Sequence, residues 1–242
     1  MNFNFIGDIF FPPACVKCGD SITHGVICDT CKRSIDGFDT LFCGTCAARL
    51  PDQKKICHKD APYILGAAAA YDDEVLRALI HALKFQGIEA AAAPLAEILA
   101  GYVTRLHLDL HDYTVTPVPL SIERARARGF NQSALIARPF AATLGIPFEE
   151  HLLARIAHRK PQSETEDIFE RRENVKGCFI LAPGAGADVQ NKKIVLVDDV
   201  TTSGTTFTEA ARILKASGAK KLPCSPVNVS TGRNTSATMN VA

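Results

Sequence analysis

The stretch of residues 193 to 216 constrains the fold more than any other part of the sequence. Residues 194 to 197 (Ile-Val-Leu-Val) are all apolar and mostly β-branched, which is typical of a strand that is buried on both faces. Asp198 and Asp199 follow directly, and apolar residues at helical spacing begin at Phe207. This order predicts a buried strand, a short loop and a helix.

The loop between this strand and the helix is rich in hydroxyl groups. Residues 201 to 206 are Thr-Thr-Ser-Gly-Thr-Thr, and Thr206 and Glu209 have the spacing of a capping box at the start of the helix. Free N–H groups at a helix amino end bind anions, and Gly204 would let the backbone approach a phosphate closely. The neighbouring acids can hold ribose hydroxyls or orient Mg²⁺. We therefore predict a site for a ribose with a 5′-phosphate; the alternative is a strand whose two acids cap a turn.

Seven of the nine cysteines fall between Cys15 and Cys57, and six of these form three C-x-x-C pairs. Each pair can place two thiolates on one tetrahedral ion, so two pairs complete a structural zinc site. The ligands predicted for the first zinc are Cys15, Cys18, Cys28 and Cys31. One alternative joins the first pair to Cys43 and Cys46, and another is a redox role for the pairs.

A second zinc site is predicted from the third pair. Its ligands would be Cys43, Cys46 and Cys57, with His58 or Asp60 as the fourth. A segment this small cannot form an adequate hydrophobic core unaided, so the zinc should be structural. Residues 1–60 are therefore predicted to be a zinc-binding, cysteine-rich unit.

The remainder of the chain alternates between strand and helix patterns, which predicts an α/β domain over residues 61–221. Within it, the polar stretch 152–174 lacks a clear apolar period and is predicted to be a mobile flap. Residues 222–242 are rich in Ser, Thr and Asn and show no apolar terminal strand, so we predict a disordered polar tail.

Composition and charge exclude several classes of protein. The net charge of +1 gives no global reason to expect a polyanionic partner, although local clusters can bind one. The amino-terminal residues lack the basic flank of a secretory signal, and Pro94 and Glu97 interrupt the alanine-rich stretch around them. We therefore expect a soluble, cytoplasmic protein that does not insert into a membrane.

A cluster of arginines follows the strand pattern at residues 114–118. Arg124, Arg126 and Arg128 lie beside Gly129. Ligands of open α/β sheets bind at the carboxyl ends of strands, and arginine offers planar, permanently charged donors for pyrophosphate. The cluster predicts a pyrophosphate-binding segment, with a solvated basic turn as the alternative.

Residues 197–206 (VDDVTTSGTT) resemble the 5-phosphoribosyl-1-pyrophosphate (PRPP) motif of type I phosphoribosyltransferases. The chain as a whole resembles the competence protein ComF family, bacterial proteins that join a cysteine-rich zinc unit to a phosphoribosyltransferase-like domain. The further segments that match are FPPACVKC (11–18), the next two C-x-x-C pairs, LIHALKF (79–85), VPL (118–120), RGFNQ (128–132), and Gln162 with RREN (171–174). Asp60 stands where the family has a further cysteine, and the family's apolar terminal strand is not evident in the tail.

The resemblance implies a type I phosphoribosyltransferase-like parallel sheet with helices on both faces, and PRPP with Mg²⁺ as the ligand. It implies that Asp198, Asp199 and Arg128 take part in transfer of the phosphoribosyl group. The residues expected to contact PRPP are the two acids, Thr201, Thr202, Ser203, Gly204, Thr205 and Thr206, together with Pro119, Leu120 and Ser121. The residues expected to close over the site are Lys84, Arg159, Gln162 and Arg172.

Three functions are consistent with these features. The first is a transferase that releases pyrophosphate, and the second is a sensor that binds PRPP or a nucleotide without turnover. The third is a factor that handles single-stranded DNA or contacts the competence machinery, which the family's role in DNA uptake and natural transformation implies. The low aromatic content and the lack of tryptophan give little material for base stacking.

Overall fold

The computed structural model describes residues 13–50, 57–58, 60–156, 177–201 and 203–220, and the backbone of residues 236–241. The strands are β1 (Leu41–Cys43), β2 (Arg49–Leu50), β3 (Ile64–Gly66), β4 (Tyr113–Pro117), β5 (Leu153–Arg155), β6 (Phe179–Leu181), β7 (Lys193–Thr201) and β8 (Ser236–Val241). The helices are α1 (Asp29–Arg33), α2 (Glu74–Phe85), α3 (Ala92–Arg105), α4 (Ile122–Arg128), α5 (Gln132–Leu144), α6 (Gly186–Val189) and α7 (Thr205–Ala216), and a 3₁₀ turn spans Glu89–Ala91.

Six strands form one sheet in the order β2-β1-β3-β8-β7-β4, and β5 and β6 form a separate hairpin. β4 and β7 are parallel, with Thr114 opposite Ile194, as the sequence predicted. The other pairs in the sheet are antiparallel. The α/β class is therefore confirmed. The parallel strands, β4 and β7, are connected along the chain through helices. The short connection between β1 and β2 permits only antiparallel pairing of these two strands.

Helices cover both faces of the sheet, as predicted. The side chains of β7 alternate, so Val195 and Val197 contact a core formed with α2, α3 and α5. Ile194 and Leu196 point to the opposite core, which contains α7 and the β5–β6 hairpin. All four side chains are fully buried, which explains why the sequence of this strand is continuously apolar.

The helix boundaries follow local signals in most places. The Asp73 carboxylate accepts hydrogen bonds from the N–H groups of Val75 and Leu76, each 2.9 Å long, and so caps α2. α5 ends at Gly145, whose φ of +66° is in the left-handed region. The start of α2 and the end of α5 are therefore both explained by residues close to them in the sequence.

The start of α7 differs from the sequence prediction. Its N-cap is Gly204, and Glu209 does not form a capping box. The Glu209 carboxylate instead accepts a 2.7 Å hydrogen bond from the Gly177 N–H and pairs with Arg212. One distant partner, the Gly177 N–H, and one local partner, Arg212 on the same helix, therefore bind the carboxylate that the sequence pattern assigned to the cap.

The carboxyl-terminal region also differs from the prediction of a tail without a strand. Residues 236–241 form β8, which lies between β3 and β7; its Asn240 is opposite Leu65 on one side and Leu196 on the other. The segment (Ser-Ala-Thr-Met-Asn-Val) alternates polar and apolar residues, which is the period of a strand. Because the segment is short and follows a polar stretch, this alternation was not recognised as a strand in the sequence.

The sheet crosses the domain boundary that was predicted at residue 60. β1 and β2 belong to the cysteine-rich part of the chain, yet they pair with β3 in the same sheet as β7. Within the described residues, no helix is both long enough and apolar enough to cross a membrane.

Candidate functional site

The first cysteine centre contains Cys15, Cys18, Cys28 and Cys31, whose sulfur atoms all lie within 4.8 Å of one another. The Sγ atoms of Cys18 and Cys28 are 3.8 Å apart. A tetrahedral zinc with Zn–S bonds of about 2.3 Å requires roughly this separation. Because the first pair is joined to the second, the interleaved alternative with Cys43 and Cys46 is wrong.

The second cysteine centre contains Cys43, Cys46, Cys57 and His58, and its donor atoms also lie within 4.8 Å of one another. Nδ1 of His58 is 3.5 Å from Sγ of Cys43 and 3.2 Å from Sγ of Cys57. The structure therefore clusters His58, and not Asp60, with the three thiols. A set of three thiols and one imidazole fits structural zinc.

One thiol in each centre is predisposed to bind metal. Burial opposes ionisation of Cys15, but hydrogen bonds from neighbouring backbone N–H groups lower its pKa to about 6. Burial also opposes ionisation of Cys43, whose pKa the N–H groups of Cys46 and Thr45 lower to about 6. Because the thiolate is the form that binds zinc, both centres contain a ligand that ionises readily.

Asp198 and Asp199 lie near the carboxyl end of β7, at an irregularity of the sheet. β8 pairs with Val197 and again with Val200, and the register shifts by one residue between these two points. Consecutive strand residues normally point to opposite faces, whereas a bulge can turn two neighbours to the same side. Both acids accordingly line one cavity.

Asp199 is neutralised by a lysine from α2. Its side chain is 3% exposed, and its Oδ2 atom lies 2.8 Å from Nζ of Lys84, which is itself 17% exposed. The sequence analysis assigned Lys84 to the residues that close over the site, and the structure places it in the last turn of α2, where it pairs with Asp199. A carboxylate this deeply buried requires a counter-charge, and α2 supplies it.

Asp198 is held by a residue that the sequence analysis did not identify. The Ser133 hydroxyl donates a 2.7 Å hydrogen bond to Oδ1 of Asp198, and the N–H of Asp199 donates another of 2.9 Å. Burial, and next the negative charge of Asp199, raise the pKa of Asp198 to about 7, although the Ser133 hydrogen bond and the Lys84 charge act in the opposite direction. The sequence signal that could have identified Ser133 is its position directly after the RGFNQ segment.

The cavity in front of the acids explains their desolvation. It has a volume of about 320 Å³ including its open mouth, and its walls come from α2, α3, α5 and the segment after β3. Its apolar lining consists of Ala68, Ala69, Leu76, Ile80, Leu95, Ile98, Leu99 and Ile136. The two carboxylates are therefore the polar groups of a largely apolar cleft, the arrangement that raises a carboxyl pKa most effectively.

The hydroxyl loop follows the acids. Thr201 is buried at the end of β7, Ser203 is exposed, Thr205 and Thr206 are half-buried, and Thr202 lies outside the described residues. Gly204 has a φ of +68°, and no side chain among the described residues caps the amino end of α7. The first N–H groups of this twelve-residue helix are therefore available to an anion.

The predicted pyrophosphate segment connects β4 to α5. Pro119, Leu120 and Ser121 are half-buried, and the Ser121 hydroxyl accepts a hydrogen bond from the Arg124 N–H and caps α4. Arg128 donates a 2.9 Å hydrogen bond to Oε1 of Gln132. The other sequence-predicted residues, Arg159, Gln162 and Arg172, lie outside the described residues.

The RGFNQ segment also has a structural role. Gly129, with a φ of +79°, ends α4, and Asn131 begins α5 by accepting a hydrogen bond from the N–H of Ser133. The Asn131 amide donates a 3.1 Å hydrogen bond to the carbonyl of Val118 at the end of β4. This turn therefore fixes the position of Ser133 beside Asp198.

We expect the raised pKa of Asp198 to lower the stability of the protein above neutral pH. In the unfolded chain this carboxyl ionises at a lower pH than in the folded protein, so the stability contributed by its neutral form is lost as the pH rises through 7. Asp198→Asn keeps the acceptor for Ser133 and should raise the free energy of unfolding at pH 8, by on the order of 1 kcal/mol. Urea titrations should show that this gain shrinks towards pH 5.

The exposed Asp188 provides the control for this pH series. Asp188→Asn should leave the free energy of unfolding within about 0.5 kcal/mol at every pH. An equal gain for Asp198→Asn at pH 5 and pH 8 would contradict the raised pKa.

The two donor sets predict two zinc ions per chain. Cys18→Ser and Cys46→Ser should each lower the zinc content by about one ion, because each removes one of four ligands from a different centre. Native mass spectrometry of the purified proteins measures this directly. A wild-type protein with one zinc, whose content Cys46→Ser does not alter, would contradict the second centre.

Comparison with protein families gives two matches. The phosphoribosyl transferase domain matches residues 80–225, and the double zinc ribbon domain matches residues 6–61. The first match contains β7, α7 and the RGFNQ segment, and the second contains both cysteine centres. Together with the two donor sets, the second match supports structural zinc.

Individual relatives give a consistent result. The chain is 28% identical over 226 residues to Competence protein F of Haemophilus influenzae, which covers 88% of this chain and 95% of the relative. It is 32% identical over 207 residues to DNA utilization protein YhgH of Salmonella typhimurium, covering 82% and 88%. It is 28% identical over 148 residues to Competence protein ComFC of Bacillus subtilis, covering 60% and 56%. With a double zinc ribbon followed by a phosphoribosyl transferase domain, the chain belongs to the competence protein ComF family.

Proposed function

We propose that the protein binds PRPP together with Mg²⁺ and transfers the phosphoribosyl group to a nucleophile, with release of pyrophosphate. The observation that supports this most directly is the arrangement at the end of β7. Two acids that face one cleft are followed within a few residues by a glycine-capped helix, whose amino end is not capped by any side chain in the part of the chain that the structure describes. Acids beside an anion-binding turn suit a phosphorylated sugar better than a phosphate alone.

The ribose and its 5′-phosphate would occupy neighbouring parts of this site. Asp198 and Asp199 would accept hydrogen bonds from the ribose hydroxyls, and residues 201–206 would hold the 5′-phosphate through N–H and hydroxyl groups. Lys84 and Ser133 hold the two carboxylates before any ligand arrives. This preorganisation would reduce the entropic cost of binding.

The pyrophosphate would lie towards the segment after β4. Residues 119–121 offer backbone groups, and Arg128 has guanidinium donors beyond the one that contacts Gln132. Carboxylate oxygens are ligands that suit Mg²⁺, which supplies positive charge to the departing pyrophosphate when it is bound. The largest catalytic contribution would then be electrostatic stabilisation of the leaving group, with orientation second. No side chain needs to act as a nucleophile.

Calorimetry tests the binding step. We expect saturable, Mg²⁺-dependent binding of PRPP, which Asp198→Asn with Asp199→Asn weakens at least tenfold, because two ligand-facing carboxylates are lost. Asp188→Asn, which changes an exposed acid on α6, is the matched control and should bind like the wild type. Equal affinity in the double variant and the wild type would contradict the site assignment.

A second measurement separates the transferase from a sensor. Release of pyrophosphate is followed with purified protein, PRPP, Mg²⁺ and a panel of nucleobases and amines. Turnover supports the transferase. Tight binding of PRPP without any release would support the sensor instead, and would overturn the catalytic half of the proposal.

The similarity to a DNA utilization protein and to competence proteins favours a second candidate function in DNA handling, which we propose to act on single-stranded DNA. One structural observation supports it. Phe85, the residue after Lys84, is 68% exposed. The guanidinium carbon of Arg128 is 5.8 Å from the centre of its ring, and the His81 ring centre is 5.1 Å away. An exposed ring flanked by a guanidinium group and an imidazole ring suits an unpaired base next to a phosphate.

The helix that carries Arg128 has further exposed arginines, which would favour contact with a nucleic-acid strand. Arg124 and Arg126 are exposed on α4, which ends at Arg128. The sequence analysis gave little weight to base stacking because aromatic residues are few, but it could not show that this one is exposed. We further propose a cytoplasmic location, because both cysteine centres require reduced thiols.

Fluorescence anisotropy with a labelled oligothymidylate tests this candidate. We expect affinity to fall steeply as salt increases, and Phe85→Ala to weaken binding roughly tenfold through loss of one stacked base. Ile180→Ala changes an exposed apolar residue on β6 and serves as the control. A flat salt response, or equal binding by Phe85→Ala and the wild type, would remove DNA handling from this surface.

A further inference from the structure

Tyr63 lies between the second cysteine centre and the hydroxyl loop. It directly precedes β3, and its side chain is 4% exposed. Its ring packs near that of Phe207 in the first turns of α7, with ring centres 6.2 Å apart. One side of this residue therefore contacts the metal-ligand segment, and the other contacts the predicted phosphate loop.

Contacts on the metal side are close. β1 ends at Cys43, a member of the second centre, and Cys43 is opposite Ile64 in β3. The next residue, Gly44, packs directly against Tyr63: a Cβ at Gly44 would lie 2.4 Å from the Tyr63 carbonyl oxygen and 2.7 Å from its ring. The turn between Cys43 and Cys46 therefore packs against Tyr63 with no space for a side chain between them, so the position of this turn limits where Tyr63 can lie.

Contacts on the loop side are equally specific. The Tyr63 hydroxyl donates a 3.2 Å hydrogen bond to the carbonyl of Gly204, the N-cap of α7. The same carbonyl accepts bonds from the N–H and the hydroxyl of Thr208, 2.9 and 3.0 Å long. A Cβ at Gly204 would lie 2.8 Å from the Tyr63 hydroxyl. The conformation of Gly204 is therefore held by Thr208 in the following helix and also by the side chain of Tyr63, which is distant in the sequence.

The first cysteine centre has no comparable path among the described residues. Its segment contacts the rest of the protein through Lys17 with Glu74 on α2 and Lys32 with Glu97 on α3, and through apolar side chains such as Val16, Ile27 and Ile35, which pack against the core on the α2 and α3 side of the sheet. These ion pairs are largely exposed, and they lie on the helices that cover the face opposite α7. The two centres should therefore differ in their effect on the loop.

We propose that Tyr63 is a positioning residue for the phosphate loop and that zinc in the second centre keeps it in place. Metal occupancy of that centre, and not of the first, then regulates affinity for the phosphorylated ligand. The ligand half of this inference rests on the proposed function.

Metal occupancy would affect ligand affinity because zinc restricts the conformations of the turn that packs against Tyr63. Loss of zinc removes the bonds that hold the turn between Cys43 and Cys46, and Gly44 can then move away from Tyr63. The Gly204 carbonyl would lose one of its three donors, and the glycine N-cap would sample more of the conformations open to it. The N–H groups at the amino end of α7 would be less often arranged for an anion, so ligand binding would include the cost of ordering them.

Tyr63→Phe tests the link because it removes only the hydroxyl. We expect PRPP affinity to fall about fivefold, as for one lost hydrogen bond, with two zinc ions retained. In the protein without ligand, amide hydrogen exchange over residues 203–208 should become faster. Tyr71→Phe, at another partly buried tyrosine, is the control and should change neither measurement. Wild-type exchange in Tyr63→Phe would overturn the role of the hydroxyl.

Substitutions in the two centres test the metal dependence. Cys46→Ser should accelerate exchange over residues 203–208 and weaken PRPP binding at least as much as Tyr63→Phe, whereas Cys18→Ser should leave both within about twofold. The double variant Tyr63→Phe with Cys46→Ser should bind no more weakly than Cys46→Ser alone, because the two changes break one path. Equal effects from both centres, or additive effects in the double variant, would overturn the inference.

The exchange measurement keeps this inference separate from the proposed function. If the wild-type protein does not bind PRPP, the proposed ligand is wrong. The ligand-free exchange data then decide alone whether the second centre and Tyr63 control the loop.

Discussion

The structure depends on the neutralisation of two adjacent carboxylates at the end of a buried strand. A bulge turns Asp198 and Asp199 towards the same cleft, where solvent cannot stabilise their charges. Lys84 from α2 pairs with one, and Ser133 from α5 donates to the other. These contacts attach both helices to the end of β7. The two carboxylates and their partners therefore both hold the walls of the cleft in place and supply its polar groups. Lys84 and Ser133 offset the burial of the acids only in part, and the pKa of Asp198 stays raised.

The sequence predicted the features that depend on neighbours in the chain. The buried strand at 194–197, the Asp73 cap and the end of α5 at Gly145 all follow from local pattern and backbone preference. The ligand set of the first cysteine centre also follows from spacing. The features that depend on distant residues were not predictable in this way. The Lys84–Asp199 pair, the Ser133 hydrogen bond to Asp198 and the hydrogen bond from Gly177 to Glu209 join distant parts of the chain, and a local pattern cannot distinguish these residues from exposed charges or caps.

The cysteine-rich part of the chain is best understood as an extension of the main sheet. A segment of this size buries too little apolar surface to be stable alone. In the structure, metal-ligand geometry holds its turns while β1 pairs with β3 and so shares a core with the larger domain. Phe42 and Cys43 are both buried, but they contribute to different cores because they point to opposite faces of the sheet. The zinc unit and the sheet therefore stabilise each other.

The RGFNQ segment shows why a motif of this family need not have a single role. Gly129 ends α4 directly after Arg128, whose guanidinium carbon lies 5.8 Å from the centre of the Phe85 ring. Two residues later, Asn131 begins α5 and is bonded to the end of β4, which places Ser133 beside Asp198. One turn thus carries a cation beside an exposed ring and positions a hydroxyl beside Asp198. An interpretation that assigned the whole motif to pyrophosphate would miss that Gly129 and Asn131 build this turn.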